Sequence, residues 1–546
     1  MKKIFGHIYL FDFSSPFLGR SVADREFITA LIRFGSFDEY HFFFESETIL
    51  KDFQRHFADT IAFYAPNKVK TFPLYKLEEQ LATTTYTVFH SSDPLIEKLI
   101  YLRSNFTIKE PFAITGYTHT LSSRNLSPGF LLTLLQQPQS CDAIICSSKC
   151  GQKVMENIFD TINNSFSQAF HQDIDYKGQL PHIPLGITTE SYNKVSKDEA
   201  RKKLGFPAEN QIILSIARLT PSSKMDYYPI LDVFSRILHE YPTARLVLAG
   251  GLSEEKENYL KELQVYAQQK GITDEIIFCP NFEDSYKHLL YSAADIFISP
   301  SDNMQETFGI TIIEALASGL PVVCSDWDGY KELVTDGVTG YRVPTIMQKS
   351  YDAIDNLSLF SLNPSFIIAQ YTAVNQDIMT ERLLSLMSND RLLTEMAENA
   401  KRSIVCYDWS QLIPQYESLW SSLKTEALLQ YTPSSFSLHF SFYKLFSHYP
   451  TYHLEDTTVL SITDAGENIL ANRQELSINL IIKNFLDFHL LGSLLSNLKE
   501  KPLTNADLKA RHRNYTQDLV ESHILWLIKY GAVAYYEKDF RNNFDI

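Results

Sequence analysis

The chain has 546 residues, 45% hydrophobic and 21% charged, with a formal net charge of −16. That length exceeds one ordinary core and implies two to four domains. The acidic balance argues against unaided binding to nucleic acid or an anionic membrane, because phosphates demand a basic surface, and no run of about 18 apolar residues marks a membrane span.

The opening Met1-Lys2-Lys3-Ile4-Phe5-Gly6-His7-Ile8-Tyr9-Leu10 has a short apolar run that contains His7 and meets Asp12 without a small-residue cleavage site. It reads as a first β-strand over 4–11 and not as a secretion signal. The loop Ser14-Ser15-Pro16-Phe17-Leu18-Gly19 follows, then a helix from about Ser21 to Phe34. Further strands are expected at Tyr40–Phe44, Tyr86–His90, Phe112–Thr115 and Ala143–Ser147, with helical stretches between them. The segment 181–187 reads as a last strand and an exit loop. Alternation of this kind predicts a parallel sheet with helices on both faces.

The pattern restarts near residue 195. Strands are expected at Ile212–Ala217, Ala244–Leu248, Ile276–Cys279, Ile296–Ser299 and Pro321–Cys324, with a helix over Tyr228–Glu240. Residues 349–385 are weakly patterned and polar, which predicts a surface insertion. Asp390–Arg402 and 408–424 read as helices, and Tyr431-Thr432-Pro433-Ser434-Ser435 as a linker. Beyond it, helical periods appear around 475–498 and 516–530, and 524–535 reads as a helix turning into a strand. The expected organisation is α/β: Rossmann-like domains at 1–190 and 191–405, a crossover helix at 406–428, and a smaller, mostly helical α+β domain at 436–546. Two doubly wound domains in tandem leave a cleft, and strand C-terminal ends bind ligands in this architecture.

The cysteines at 141, 146, 150, 279, 324 and 406 contain no Cys-x-x-Cys pair. Zinc is not expected, and free thiols suit a reducing cytoplasm.

Glu306 and Glu314 flank a small loop and a short apolar helix in Gln305-Glu306-Thr307-Phe308-Gly309-Ile310-Thr311-Ile312-Ile313-Glu314. Paired carboxylates serve glycoside hydrolysis when they stand about 5–9.5 Å apart. Eight ideal helical positions give roughly 12 Å, which suits two separate hydroxyl clusters better than one scissile bond. Residues 307–311 are expected to form the helix N-terminus, whose amides and dipole favour phosphate. Arg218 and Lys224 follow the strand Ile212–Ala217, and six positions apart both can reach a diphosphate, Arg as a fork and Lys as a point charge. Taken separately, each group also reads as a solvated charge; together they outline a nucleotide-sugar site.

On these motifs the chain resembles the large retaining glycosyltransferase family of glycogen synthase-like and sucrose synthase-like enzymes, family 4 of the GT-B fold. The resemblance covers about residues 1–425 and is more specific in its second half. It makes Glu306–Glu314 the family's Glu-x7-Glu motif, and Arg218 with Lys224 its phosphate-binding pair, here one residue further apart than usual. It implies that Glu306 contacts the transferred sugar, that Thr307, Phe308, Gly309 and Ile310 offer backbone amides to the diphosphate and sugar, and that Glu314 holds the ribose. Gly19 matches the Gly-rich loop under the diphosphate, which has one glycine here where the family has two. His119, in Gly116-Tyr117-Thr118-His119, matches the family's histidine at the sugar site. Glu306, His119, Arg218 and Lys224 are the expected catalytic group. His90 sits at another strand end, where it either faces the acceptor or packs in the core.

Asp326-Trp327-Asp328 fits the Asp-x-Asp pattern by which other glycosyltransferases hold a metal. The resembling family uses no essential metal, since Arg218, Lys224 and the helix end supply the positive charge, so no metal or other cofactor is expected. The expected activity is transfer of a sugar from a nucleotide diphosphate sugar to an unidentified acceptor. Rival readings are a nucleotide-sugar 2-epimerase, which needs no acceptor, and an adaptor acting through 436–546. There Leu503-Thr504-Asn505-Ala506-Asp507-Leu508-Lys509 faintly resembles a winged helix, but its mixed charge makes packing, oligomerisation or acceptor docking a better use than DNA.

Overall fold

The computed structural model describes residues 2–9, 19–123, 126–192, 194–252, 257–350, 354, 356, 364–438, 441–472, 482 and 486–536. The chain divides into two compact units, Met1–Ser437 and Leu438–Ile546.

The first unit holds two parallel six-stranded sheets. Strands β1 (Ile4–Tyr9), β2 (Glu39–Phe44), β3 (Val69–Pro73), β4 (Val88–Ser91), β5 (Ala113–Tyr117) and β6 (Asp142–Ile145) form the first, in the order β3-β2-β1-β4-β5-β6. All six residues of β2, Glu-Tyr-His-Phe-Phe-Phe, are buried. A parallel strand covered on both faces needs such a run instead of alternation. The second sheet comprises β7 (Ile212–Ile216), β8 (Arg245–Gly250), β9 (Ile276–Pro280), β10 (Ile296–Ser299), β11 (Val322–Ser325) and β12 (Gly340–Val343), ordered β12-β11-β10-β7-β8-β9.

The crossover helix Trp409–Gln430 returns to the first sheet. Asp408 caps it, accepting from Ser410 N at 2.9 Å, and also takes the Thr189 amide at 3.0 Å. Trp420 is fully buried against Phe5, Phe37 and His90, and its Nε1 donates to Thr115 Oγ1 at 3.1 Å. The first sheet's core is thus completed by residues far downstream.

Three expectations are corrected. Residues 181–187 make no strand; they form only isolated bridges, Cys146–His182 just past β6 and Ile187–Asp408 at the residue before the crossover helix. Residues 349–385 are more than a polar insertion. A hairpin of β13 (Thr345–Met347) and β14 (Thr372–Val374) leads into helix Gln376–Met387, whose Met379, Leu383, Leu386 and Met387 are buried; most of 351–363 lies outside the described residues. Helix Ile310–Ala317 starts later than 307, for a reason seen below.

The second unit has an antiparallel sheet ordered β16-β15-β17, from β15 (Val459–Ile462), β16 (Leu503–Thr504) and β17 (Val533–Tyr536). Helices Phe488–Glu500 and Gln517–Lys529 supply Leu490, Leu494, Val520, Ile524 and Leu527 to its core. Thr504 and Asp507 form a reciprocal capping box. The first part of the 475–498 helical period lies outside the described residues.

Candidate functional site

Strand ends of both sheets open on a cleft of about 1040 Å³. Its lining includes Glu306, Thr307, Phe308, Gly309, Ile310 and Glu314 with Arg218, Lys224 and His119. Nine of the ten residues expected from sequence therefore share one cavity. Gly19 is the tenth: it begins helix Gly19–Phe34, and the loop before it lies outside the described residues. Ser21, Val22, Arg25 and Glu26 of that helix do line the cleft.

Two ion pairs organise the second sheet's side. Lys224 Nζ donates to Glu306 Oε2 at 2.8 Å. Burial pushes the Glu306 carboxyl up, but the Lys224 charge and hydrogen bond, with the Phe308 and Thr307 amides, hold it below the usual carboxylate range. These two amides were expected to await a phosphate; here they serve Glu306. Gly309, at φ 111°, is the residue before the helix. A left-handed residue cannot continue a right-handed helix, so Thr307 and Phe308 stay in the turn. A Cβ on Gly309 would also stand 2.5 Å from the Tyr330 ring.

Arg218 sits just past β7, beside Glu306. Burial lowers its pKa and the Glu306 charge opposes that; its Nε is buried without a hydrogen-bond partner among the described residues. Its loop is held by Ala217 N to Ala249 O and Leu219 N to Gly251 O, both 3.0 Å. The approach is so close that a Cβ on Gly250 would lie 1.6 Å from Ala217 O.

The second pair was missed by sequence reasoning. Glu314, 3% exposed, accepts from Lys287 Nζ and from Tyr291 OH at 2.9 Å. Tyr192 also hydrogen-bonds this carboxylate. Lys287 and Tyr291 stand four apart on helix Asp284–Ala293, one face of one helix, and that spacing was the signal available. Phe282 and His288 line the same end of the cleft.

On the first sheet's side, His119 lies with Nε2 3.7 Å from Asp93 Oδ2. His90 does not face an acceptor. It is fully buried, with Nδ1 2.8 Å from Thr115 Oγ1, and burial takes its pKa well below the ordinary value.

The Asp-x-Asp residues are otherwise engaged. Asp326 pairs with Arg342 at 3.2 Å. Burial, helped by the Glu306 charge, pushes Asp328 up to about 8. Among the described residues no group of three His, Cys, Asp or Glu side chains is placed to hold a metal ion.

Two parallel sheets facing one cleft define the GT-B architecture, and solved structures agree. Sucrose-phosphate synthase from Thermosynechococcus elongatus superposes with TM-score 0.52 at 17% identity, covering 78% of this chain and 100% of that one. Anabaena Alr3699/HepE in complex with UDP gives 0.54 at 16% identity, covering 77% and 100%. Residues 196–358 match the family model of glycosyl transferases group 1.

Similar curated proteins include the D-inositol 3-phosphate glycosyltransferase of Acidothermus cellulolyticus, 30% identical over 33% of this chain and 41% of its own length. The phosphatidyl-myo-inositol mannosyltransferase of Mycobacterium leprae is 24% identical over 44% of this chain and 54% of its own. The alpha-monoglucosyldiacylglycerol synthase of Streptococcus pneumoniae is 33% identical over 30% and 37%. The chain thus spans 37% to 54% of these relatives' lengths. No described helix is long and apolar enough to cross a membrane.

Proposed function

We propose that this chain moves a glycosyl unit from a nucleotide diphosphate sugar to a hydroxyl-bearing acceptor, with retention at the anomeric carbon and no essential metal. The observation that carries this reading is the Lys224–Glu306 pair in the cleft wall, beside an Arg218 whose Nε has no partner among the described residues. An incoming diphosphate satisfies Arg218 and recruits Lys224. Glu306 is then released to the sugar hydroxyls, with His119 opposite. At the far end Glu314, steadied by Tyr291 and Lys287, takes the ribose. The relatives are named for glycosyl transfer involving D-inositol 3-phosphate and phosphatidyl-myo-inositol and for making alpha-monoglucosyldiacylglycerol, a spread that supports glycosyl transfer without fixing the acceptor.

In the step proposed, the bond from the anomeric carbon to the diphosphate oxygen breaks. The acceptor oxygen attacks from the same face, and its proton passes to the leaving phosphate. Arg218 and Lys224 act mainly as charge builds on that leaving group, which is where binding energy accelerates a reaction.

Titration of the full chain with UDP-, GDP- and ADP-hexoses identifies the donor, and NMR of the product reads the anomeric configuration. An inverted product overturns retention. Activity abolished by EDTA and restored by Mn²⁺ overturns metal independence. Isomerised donor formed without acceptor points to 2-epimerisation instead.

A further inference from the structure

One hydroxyl ties the first sheet's side of the cleft to the turn that sets Glu306. Ser148 stands after β6, buried, as the N-cap of helix Lys149–Phe170. Its Oγ accepts from Gly151 N at 2.9 Å and donates to Thr307 O at 2.7 Å. The Phe308 N–H, at the other end of that same peptide unit, bonds the Glu306 carboxylate. The carbonyl of the 307–308 peptide is therefore held by Ser148 across the cleft, while its N–H helps to keep the Glu306 carboxyl ionised. A peptide unit is planar, so fixing its carbonyl aims its N–H.

A carboxylate from the second sheet's side strengthens this crossing. Glu332 Oε1 accepts from Lys149 N at 2.7 Å and Cys150 N at 3.1 Å, two amides that the helix itself leaves unpaired. The positive helix end favours that negative charge. His182 Nε2 lies 3.6 Å from Glu332 Oε2, and Cys150 Sγ reaches Asp328 O at 3.3 Å. Helix Lys149–Phe170 is thus clasped at its first turn to the segment 307–332.

We infer that Ser148 is a positioning residue for Glu306: it transmits the approach of the two sheets to the carboxylate that meets the sugar, and Glu332 holds the clasp that keeps it there. The inference rests on the proposed donor reading. Because the clasp acts on the residue that addresses the sugar and leaves the nucleotide end alone, it governs the affinity added by the sugar.

The test is calorimetric titration of the full chain with UDP, GDP and ADP and with their hexosyl conjugates. The readout is the ratio of conjugate affinity to bare-diphosphate affinity. In Ser148→Ala that ratio is expected to fall roughly threefold to tenfold, the size of one neutral hydrogen bond, with bare-diphosphate affinity unchanged. Ser148→Thr keeps the hydroxyl and should keep the ratio. An unchanged ratio in Ser148→Ala, or equal weakening of both ligands, overturns the inference, since loss of a helix cap alone does not single out the sugar. If Ser148→Ala does not fold, Glu332→Ala, at a side chain 21% exposed, must lower the same ratio or the inference fails. A wild-type chain that binds no diphosphate overturns the donor reading, and this inference with it.

Discussion

On the first sheet's side His119, Arg25 and Glu26 reach the cleft, but other ionisable groups are sealed inside. His7 is fully buried, its Nδ1 2.8 Å from His90 O, and burial holds its pKa near 4. Arg103 and Asp142 pair at 2.7 Å with side chains 0% exposed. In the second sheet, Arg218, Lys224, Lys287, Glu306 and Glu314 instead open on the cleft. Six parallel strands serve both, so the strand plan does not decide which sheet handles a charged ligand. Placement does: charge at a strand's carboxyl end can be exchanged with a ligand, whereas charge sealed within the packing can only be kept or lost.

The largest expected effect tests the sealed side. Arg103→Met leaves Asp142 buried without its cation and without the Phe112 carbonyl's donor. Breaking a buried pair this way should cost about 3–5 kcal/mol in denaturant unfolding, with donor affinity of the folded fraction intact. A milder loss would mean that Asp142 finds another partner.

Next comes the exchangeable side. Lys224→Ala should lower kcat by roughly 10²–10³ while the chain still folds; unchanged turnover would remove Lys224 from the mechanism. Glu314→Gln loses the charge facing Lys287 and should weaken nucleotide binding roughly tenfold, the scale of one charge-assisted hydrogen bond. Equal binding by the variant would place the ribose elsewhere.

The most gradual effect is a pair of opposed pH slopes. His7, depressed to about 4, contributes stability that is full above about 6.5 and is lost as pH falls toward 4. Asp302 is pushed up to about 7, by burial first; its contribution is full below about 4 and is lost as pH rises through 7. Each slope is on the order of 1 kcal/mol per pH unit. Urea melts from pH 4 to 7.5 on Asp302→Asn should show stability rising with pH more steeply than in the parent chain. A parallel curve would mean that Asp302 titrates normally.

Much of this comparison could be read from the chain. The Glu306–Glu314 spacing and the basic residues after Ile212–Ala217 were sufficient to outline the cleft, because they are local patterns. Lys287, Tyr291, Ser148 and Glu332 were not, because their meaning lies in partners up to 183 positions away, as for Lys149 and Glu332. The helix start was misplaced because a glycine at φ 111° looks, in sequence, like any other glycine near a helix end. The segment 181–187 carries a strand's composition but reaches only isolated bridges, one of them Cys146–His182 just past the edge strand β6.

The return of helix Trp409–Gln430 sets a timetable for synthesis. The first sheet's last strand ends at Ile145, yet its aromatic floor of Phe5, Phe27, Phe37 and His90 waits for Tyr416 and Trp420. At about 5–20 residues per second on the ribosome, the gap between those points lasts roughly 15–60 s. Throughout that interval the nascent first domain presents an uncovered aromatic surface while the entire second sheet is made. Chaperone demand should therefore peak mid-chain and collapse once residue 430 has emerged. A helix supplied as a separate peptide should rescue a chain stopped before residue 408.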